Sequence, residues 1–171
     1  MSKIAIVQKA SVFLDKTKSI ELAVDSVKEA AAQNATVVIF TEAFIPGYPT
    51  WVWRLRPGGD WDLSEKLYKR LFDNSVNMES KDLLPLYATA REHAVTIVCG
   101  IEECDSQLSR TTLYNTVIII GPDGSLLNRH RKLMPTNPER MVWGFGDASG
   151  LRVVETPAGR IGALPCWENY M

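Results

Sequence analysis

Histidine is scarce in this chain, and that scarcity narrows its chemistry first. Only His93 and His130 occur, and neither forms a Cys/His spacing that resembles a zinc site, so no metal is expected. Cysteine is sparse as well, limited to Cys99, Cys104 and Cys166. The N-terminus runs Met1-Ser2-Lys3-Ile4-Ala5 straight into a strand-like segment, without the pattern of a signal peptide. An odd cysteine count in that setting reads as a reducing, cytoplasmic compartment. Basic excess is missing too: 19 Lys and Arg against 20 Asp and Glu leave a net charge of −1. Neither nucleic acid nor a membrane surface is expected as a partner. No apolar run approaches the ~20 residues that a membrane helix needs. What is left is 171 residues, 46% hydrophobic and 23% charged, the composition of one globular domain with a real core.

Periodicity supplies an α/β order. A short β-rich run over residues 3–8 precedes a helical pattern over residues 15–33, with Ile20, Val24, Val27 and Ala31 on one face. Asp15 or Thr17 is a candidate cap and Asn34 a candidate stop. Residues 36–40, Thr-Val-Val-Ile-Phe, then read as a strand apolar on both faces. Strand, helix and strand in this order predict a parallel, right-handed βαβ unit. Residues 43–62 combine Pro46, Gly47 and Pro49 with Phe44, Tyr48, Trp51, Trp53 and Trp61. Such a loop cannot be regular, yet its aromatics want burial, as in a substrate pocket, an oligomer contact or a satellite core. A short helix is expected over residues 64–71. Another, capped by Ser80, is expected to carry Leu83, Tyr87, Ala90 and Ala94 on one face, with His93 structural. A strand over residues 95–100 follows. Glu102 and Glu103 are expected to end it as solvated charge, because adjacent residues on an extended chain face opposite ways. Hairpins are predicted around Gly121-Pro122-Asp123-Gly124 and Thr156-Pro157-Ala158-Gly159. Between them, residues 132–150 form a long stretch without periodicity, too apolar to be disordered.

Three residues stand where ligands bind in open α/β sheets, beyond strand carboxyl ends. Glu42 follows the second strand, Lys132 ends the first hairpin, and Cys166 ends the apolar run 161–165. A cysteine entering a helix is accessible and feels the positive end of the helix dipole. A cysteine nucleophile needs a base, and a nearby lysine stabilises negative charge developing on a substrate. Each residue also has a plainer reading, as surface carboxylate, strand-end charge or small buried hydrophobe. A Cys–His arrangement through His130 fits less well. Cys99 and Cys104 flank an acidic segment that disfavours a thiolate.

The motifs around these residues are distinctive together. They are Thr-Glu42-Ala-Phe-Ile-Pro-Gly-Tyr-Pro, His-Arg-Lys132-Leu-Met-Pro-Thr, Glu139-Arg-Met-Val-Trp-Gly-Phe-Gly-Asp147 and Cys166-Trp-Glu-Asn-Tyr-Met. In this order they closely resemble the nitrilase family, and its nitrilase branch more than its amidase branches. The resemblance implies an α-β-β-α sandwich and no metal or organic cofactor, with assembly into homo-oligomers, dimers or spirals. It implies Cys166 as nucleophile, Glu42 as general base, Lys132 as charge-stabilising lysine and Glu139 as the glutamate that positions lysine and substrate. The implied reaction converts an organic nitrile to the carboxylic acid and ammonia through a thioimidate and then a thioester. Tyr48, Trp51 and Trp167 are the candidate substrate-binding residues, and the tryptophans of the loop hint at an aryl or arylaliphatic nitrile.

Two features depart from the family pattern. Pro165 precedes Cys166 and cannot donate a strand hydrogen bond, so the strand is expected to be at an edge or ending there. Family chains also continue past the cysteine motif. The chain is therefore expected to be an N-terminal portion, a single domain over residues 1–171 with an incomplete sandwich. Two rival readings stand beside nitrile hydrolysis: an amidase acting on small carboxamides with the same residues, and a non-catalytic fragment or assembly module completed by another chain.

Overall fold

The computed structural model describes residues 2–170. Strand β1 (Ile4–Ile6) leads into helix α1 (Lys16–Ala32). Of the two candidate caps it is Asp15 that acts, accepting a hydrogen bond from the Lys18 N–H at 3.0 Å. Gln33 closes the helix, and Asn34 turns the chain with φ +64°. The buried stripe is Ile20, Ala23, Val27 and Ala30, with Val24 and Ala31 at its margin. It is turned slightly from the expected face, since small Ala23 and Ala30 permit the closest approach. Strand β2 (Val37–Ile39) pairs parallel to β1, which completes the expected βαβ unit.

The aromatic loop that follows contains one 3-10 turn, Thr50–Trp53, and ends where helix α2 (Trp61–Asp73) begins, earlier than the sequence suggested. After the two-residue strand β3 (Val76–Asn77) comes helix α3 (Leu84–His93). Ser80 does not cap α3. Its hydroxyl accepts from the Asp82 N–H in a preceding turn, and Leu83 takes the capping position. Ala94 then ends α3 in the left-handed conformation.

Strands β4 (Thr96–Cys104), β5 (Leu113–Ile120) and β6 (Leu126–Arg131) complete a sheet ordered β1-β2-β4-β5-β6, with β3 also paired to β4. Both β1 and β2 run parallel to β4. The hairpin turns reverse the chain twice, so β6 points the same way as β4. The carboxyl ends of β2, β4 and β6 therefore share one edge. The extent of β4 corrects the sequence reading. It runs through Glu102 and Glu103, and both are fully buried rather than solvated. Pairing with β5 along the whole length of β4 covers them, with Glu102 opposite Asn115 and Glu103 opposite Tyr114.

Helices α1 and α3 cover one face of the sheet through a core that includes Ile20, Val27, Leu86, Val38, Ile97 and Ile118. A second cluster under the aromatic loop and α2 joins Trp51, Leu71, Leu113 and Trp143. On β1, Ile4 and Ile6 are 58% and 70% exposed. Strands β7 (Val154–Thr156) and β8 (Gly159–Ile161) form a separate two-stranded sheet. No helix among the described residues is long and apolar enough to cross a membrane.

Candidate active site

Glu42 owes its position to a glycine. Gly100 lies in β4, and a Cβ there would stand 2.5 Å from both Ala43 N and Thr41 O and 2.8 Å from Glu42 Cα. The backbone carrying Glu42 thus crosses directly over β4, an approach only glycine permits. Just beyond, Ala43 takes φ +50°. The chain then rejoins the sheet, where Ile45 N–H donates to Gly100 O at 3.2 Å and Glu102 N–H to Ile45 O at 2.7 Å. These bonds hold the far end of the bend, and Phe40 N–H, donating to Val98 O at 2.8 Å, holds the near end. Glu42 Oε1 accepts from Asn115 Nδ2 at 2.7 Å and from Lys132 Nζ at 2.9 Å.

Lys132 follows β6 at the shared edge, and its N–H still donates to Asn115 O at 2.8 Å. Its side chain is 1% exposed, and Nζ lies 2.9 Å from Glu139 Oε2 as well as from Glu42. Burial works against the ammonium. The hydrogen bonds and charges of Glu139 and Glu42 outweigh it, so the lysine is held above its ordinary pKa and stays charged. Two of its three N–H donors are used by carboxylates, which leaves one.

Glu139 sits in the 3-10 turn Asn137–Met141 and closes a capping box with Thr136. Its Oε2 accepts from the Thr136 N–H at 2.7 Å as well as from Lys132. Its Oε1 accepts from the Tyr48 hydroxyl, which in turn accepts from Trp53 Nε1 at 2.8 Å. Burial and the Glu139 bond raise the Tyr48 pKa, against the Trp53 bond, so the phenol keeps its proton and donates it. Tyr48 therefore holds the glutamate that holds the lysine.

Cys166 arrives differently from the expectation. β8 ends at Ile161 and belongs to the small hairpin, so the cysteine does not terminate a strand of the main sheet. It opens a five-residue 3-10 turn, Cys166–Tyr170, in place of the expected helix, and that turn is too short for a helix-dipole argument. Cys166 has φ +55° and is exposed. A left-handed cysteine costs about 1–3 kcal/mol and persists only when its surroundings hold it. Asn169 helps, with Nδ2 donating to Leu164 O at 2.9 Å and to Cys166 O at 2.8 Å. A cavity of about 340 Å³ brings the cysteine to the sheet edge. It is lined by Glu42, Asn115, Val117, Ile161, Leu164 and Cys166.

The architecture and these residues can be set beside known proteins. The chain matches the carbon-nitrogen hydrolase family over residues 3–171. It belongs to that family. A nitrilase of Bacillus sp. (strain OxB-1) is 39% identical over 169 residues, which cover 99% of this chain and 47% of the relative. An aliphatic nitrilase of Rhodococcus rhodochrous is 39% identical over 168 residues, covering 98% of this chain and 44% of that protein. The chain thus spans about half the length of the curated relatives it matches. The fold agrees with a crystal structure of Saccharomyces cerevisiae Nit3, a member of the nitrilase superfamily. The TM-score is 0.76 at 21% identity, covering 99% of this chain and 57% of that one.

Within this carbon-nitrogen hydrolase chain the aromatic candidates separate. Tyr48 joins the lysine cluster. Trp51 is buried in edge-to-face contact with Phe13 and lines another cavity, of about 340 Å³, with Trp61, Tyr68 and Met141. Trp167 is 62% exposed and meets Tyr170 edge to face. Besides Glu103, sequence reasoning missed two more buried carboxylates. Glu102 is fully buried, accepts from Trp143 Nε1 through Oε2, and has no partner for Oε1 among the described residues. Burial pushes it well above the usual carboxylate range; the Trp143 bond opposes this, and the Glu42 and Glu139 charges add to it. The carboxylates that hold Lys132 are Glu42 and Glu139. Glu168 is also buried, accepting from the Leu133 N–H at 2.6 Å and lying 2.9 Å from His130 Nε2. Only their places inside apolar runs and next to the cysteine could have signalled either. Glu103 is anchored structurally by Arg129, Arg131 and Thr116.

Proposed function

We propose that the protein of this chain hydrolyses an organic nitrile to the carboxylic acid and ammonia. The observation that carries the reading is the pairing at the sheet edge. Lys132 is buried between Glu42 and Glu139, while Glu42 lines one cavity with Cys166. The nitrilases among the relatives add support.

In this reading the Cys166 sulfur attacks the nitrile carbon as its S–H bond breaks, and the proton it gives up ends on the nitrogen, which yields a thioimidate. Charge developing on nitrogen meets the remaining N–H of Lys132. Glu42, fixed by Asn115 and Lys132, takes a proton from water, which adds to the thioimidate carbon and expels ammonia. The thioester left behind is cleaved by a second water, releasing acid and thiol. Glu139 and Tyr48 keep the lysine in place throughout. The apolar cavity wall of Phe40, Val117, Ile161 and Leu164 supports a nitrile with an apolar substituent.

The test is intact mass of the protein from its complete reading frame after incubation with a nitrile, together with ammonia release from the nitrile and its matching amide. A mass adduct absent from Cys166→Ala and ammonia from the nitrile are expected. Ammonia from the amide alone would replace the reading with an amidase. No adduct and no ammonia would remove it.

A further inference from the structure

The exposed turn that carries Cys166 has only one long-range side-chain hydrogen-bond anchor among the described residues. Asn169 locks the turn to itself, through Leu164 O and Cys166 O. Glu168 instead reaches across to the main sheet, where Oε2 meets His130 Nε2 at 2.9 Å and Oε1 accepts the Leu133 N–H at 2.6 Å. His130 ends two residues before Lys132 and Leu133 follows it directly. One buried carboxylate therefore grips the chain on both sides of the lysine while lying two residues from the cysteine.

The far end of this grip is itself immobilised. His130 is fully buried in β6. The 3-10 turn Ala148–Gly150 is pressed so closely on it that a Cβ on Gly150 would stand 2.4 Å from His130 Cα. Asn128 Nδ2 donates to Gly150 O at 2.9 Å and fixes that turn. A five-residue turn has little stability of its own, and a cysteine with positive φ gains none from local preference. The burial of a carboxylate is costly unless its oxygens are satisfied, so Glu168 is held where both bonds can form together.

We propose that Glu168, backed by His130, is a positioning residue that sets the Cys166 sulfur against Lys132. The inference rests on the reading of Cys166 and Lys132 as nucleophile and charge partner. It makes length, rather than charge, the property that matters at residue 168. Both anchors must be reached at once, and an amide of the same length still offers an oxygen to the Leu133 N–H.

Two substitutions in the protein from its complete reading frame separate these properties. Glu168→Asp keeps the charge and shortens the arm; Glu168→Gln keeps the arm and removes the charge. Glu168→Asp is expected to lower kcat for nitrile hydrolysis by about 100-fold, the cost of an ångström-scale misplacement, with KM little changed. Glu168→Gln is expected to stay close to wild-type kcat. Alkylation of Cys166 by iodoacetamide needs an accessible sulfur but not Lys132, and is expected to persist in both variants. Hydrogen exchange at the Leu133 amide reads the anchor without any turnover, and is expected to quicken in Glu168→Asp only. Wild-type kcat in Glu168→Asp, an equal loss in Glu168→Gln, or loss of alkylation in step with kcat would overturn the proposal. Wild-type protein that turns over neither nitrile nor amide would defeat the functional reading instead, with the exchange data still judging the anchor.

Discussion

Glu102 offers a test of the site's charge balance that needs no substrate. Its carboxyl is fully buried in β4, with one oxygen bonded to Trp143 and the other unpartnered among the described residues. Burial is the main reason its pKa lies well above the ordinary 4.5, with Glu42 and Glu139 adding repulsion. The native state thus holds a proton that the unfolded chain releases once the pH passes that ordinary value. Between the two pKa values the native state binds one more proton, so unfolding free energy falls as pH rises. The slope for a single group is at most about 1.4 kcal/mol per pH unit. Glu102→Gln removes the titration, keeps the size and keeps an oxygen for Trp143. Its buried NH2 replaces a buried O–H, so near pH 5 the variant should be no more stable than wild type. From pH 5 to pH 7 the variant should gain on wild type, by at most about 3 kcal/mol, two units of that slope. Subtracting the two proteins' curves removes the other titrating groups to first order. Urea unfolding at half-unit steps of pH measures the difference. A difference that is flat, or that falls with pH, would show that native Glu102 is ionised.

Three further outcomes follow from the same geometry. Lys132→Met strands Glu139 without its cation and should cost about 3–5 kcal/mol in urea unfolding. In ammonia release it should lower kcat by about 10²–10³, as for a lost charge-stabilising donor. Gly100→Ala forces a methyl group into the backbone of residues 41–43 and should destabilise by about 1–3 kcal/mol, read by thermal melting. Its kcat should fall further than that of a control alanine elsewhere in β4, because Glu42 is displaced. Iodoacetamide followed by peptide mapping should label exposed Cys166 first and leave Cys99 unmodified until the protein unfolds, since burial raises the Cys99 thiol and closes it to reagent. Early labelling of Cys99 would contradict the packing of α1 and α3 on the sheet.

How much of this was legible beforehand depended on whether a feature is local. Alternation is local, so the βαβ start and the hairpin of β5 and β6 could be read directly; capping was read less well, with Asp15 one of two candidates and Ser80 not the cap of α3. Strand ends suggested that Glu42 and Lys132 meet, whereas Glu139 joined them only through the family resemblance. The Thr136-x-x-Glu139 spacing even carries a capping-box signal that fixes one partner of the glutamate. Burial of Glu102 and Glu103 was not legible. Two adjacent acids at the end of an apolar run look solvated until β5, Trp143 and two arginines from β6 are placed around them. Those partners lie between 11 and 41 residues away.

Cys166 shows the same limit from the opposite side. Its apolar lead-in reads as a strand, and part of it is one, but periodicity cannot say which sheet a strand joins. β8 pairs only with β7, so the main sheet does not deliver the cysteine to its edge. Something else must set the distance between sulfur and lysine. Asn169 shapes the turn, through bonds to Leu164 O and Cys166 O. Among the described residues, the side-chain hydrogen bonds that tie the turn to the strand bearing Lys132 are those of Glu168. That is why the length of one buried side chain, at a position without chemistry of its own, should govern turnover more than its charge.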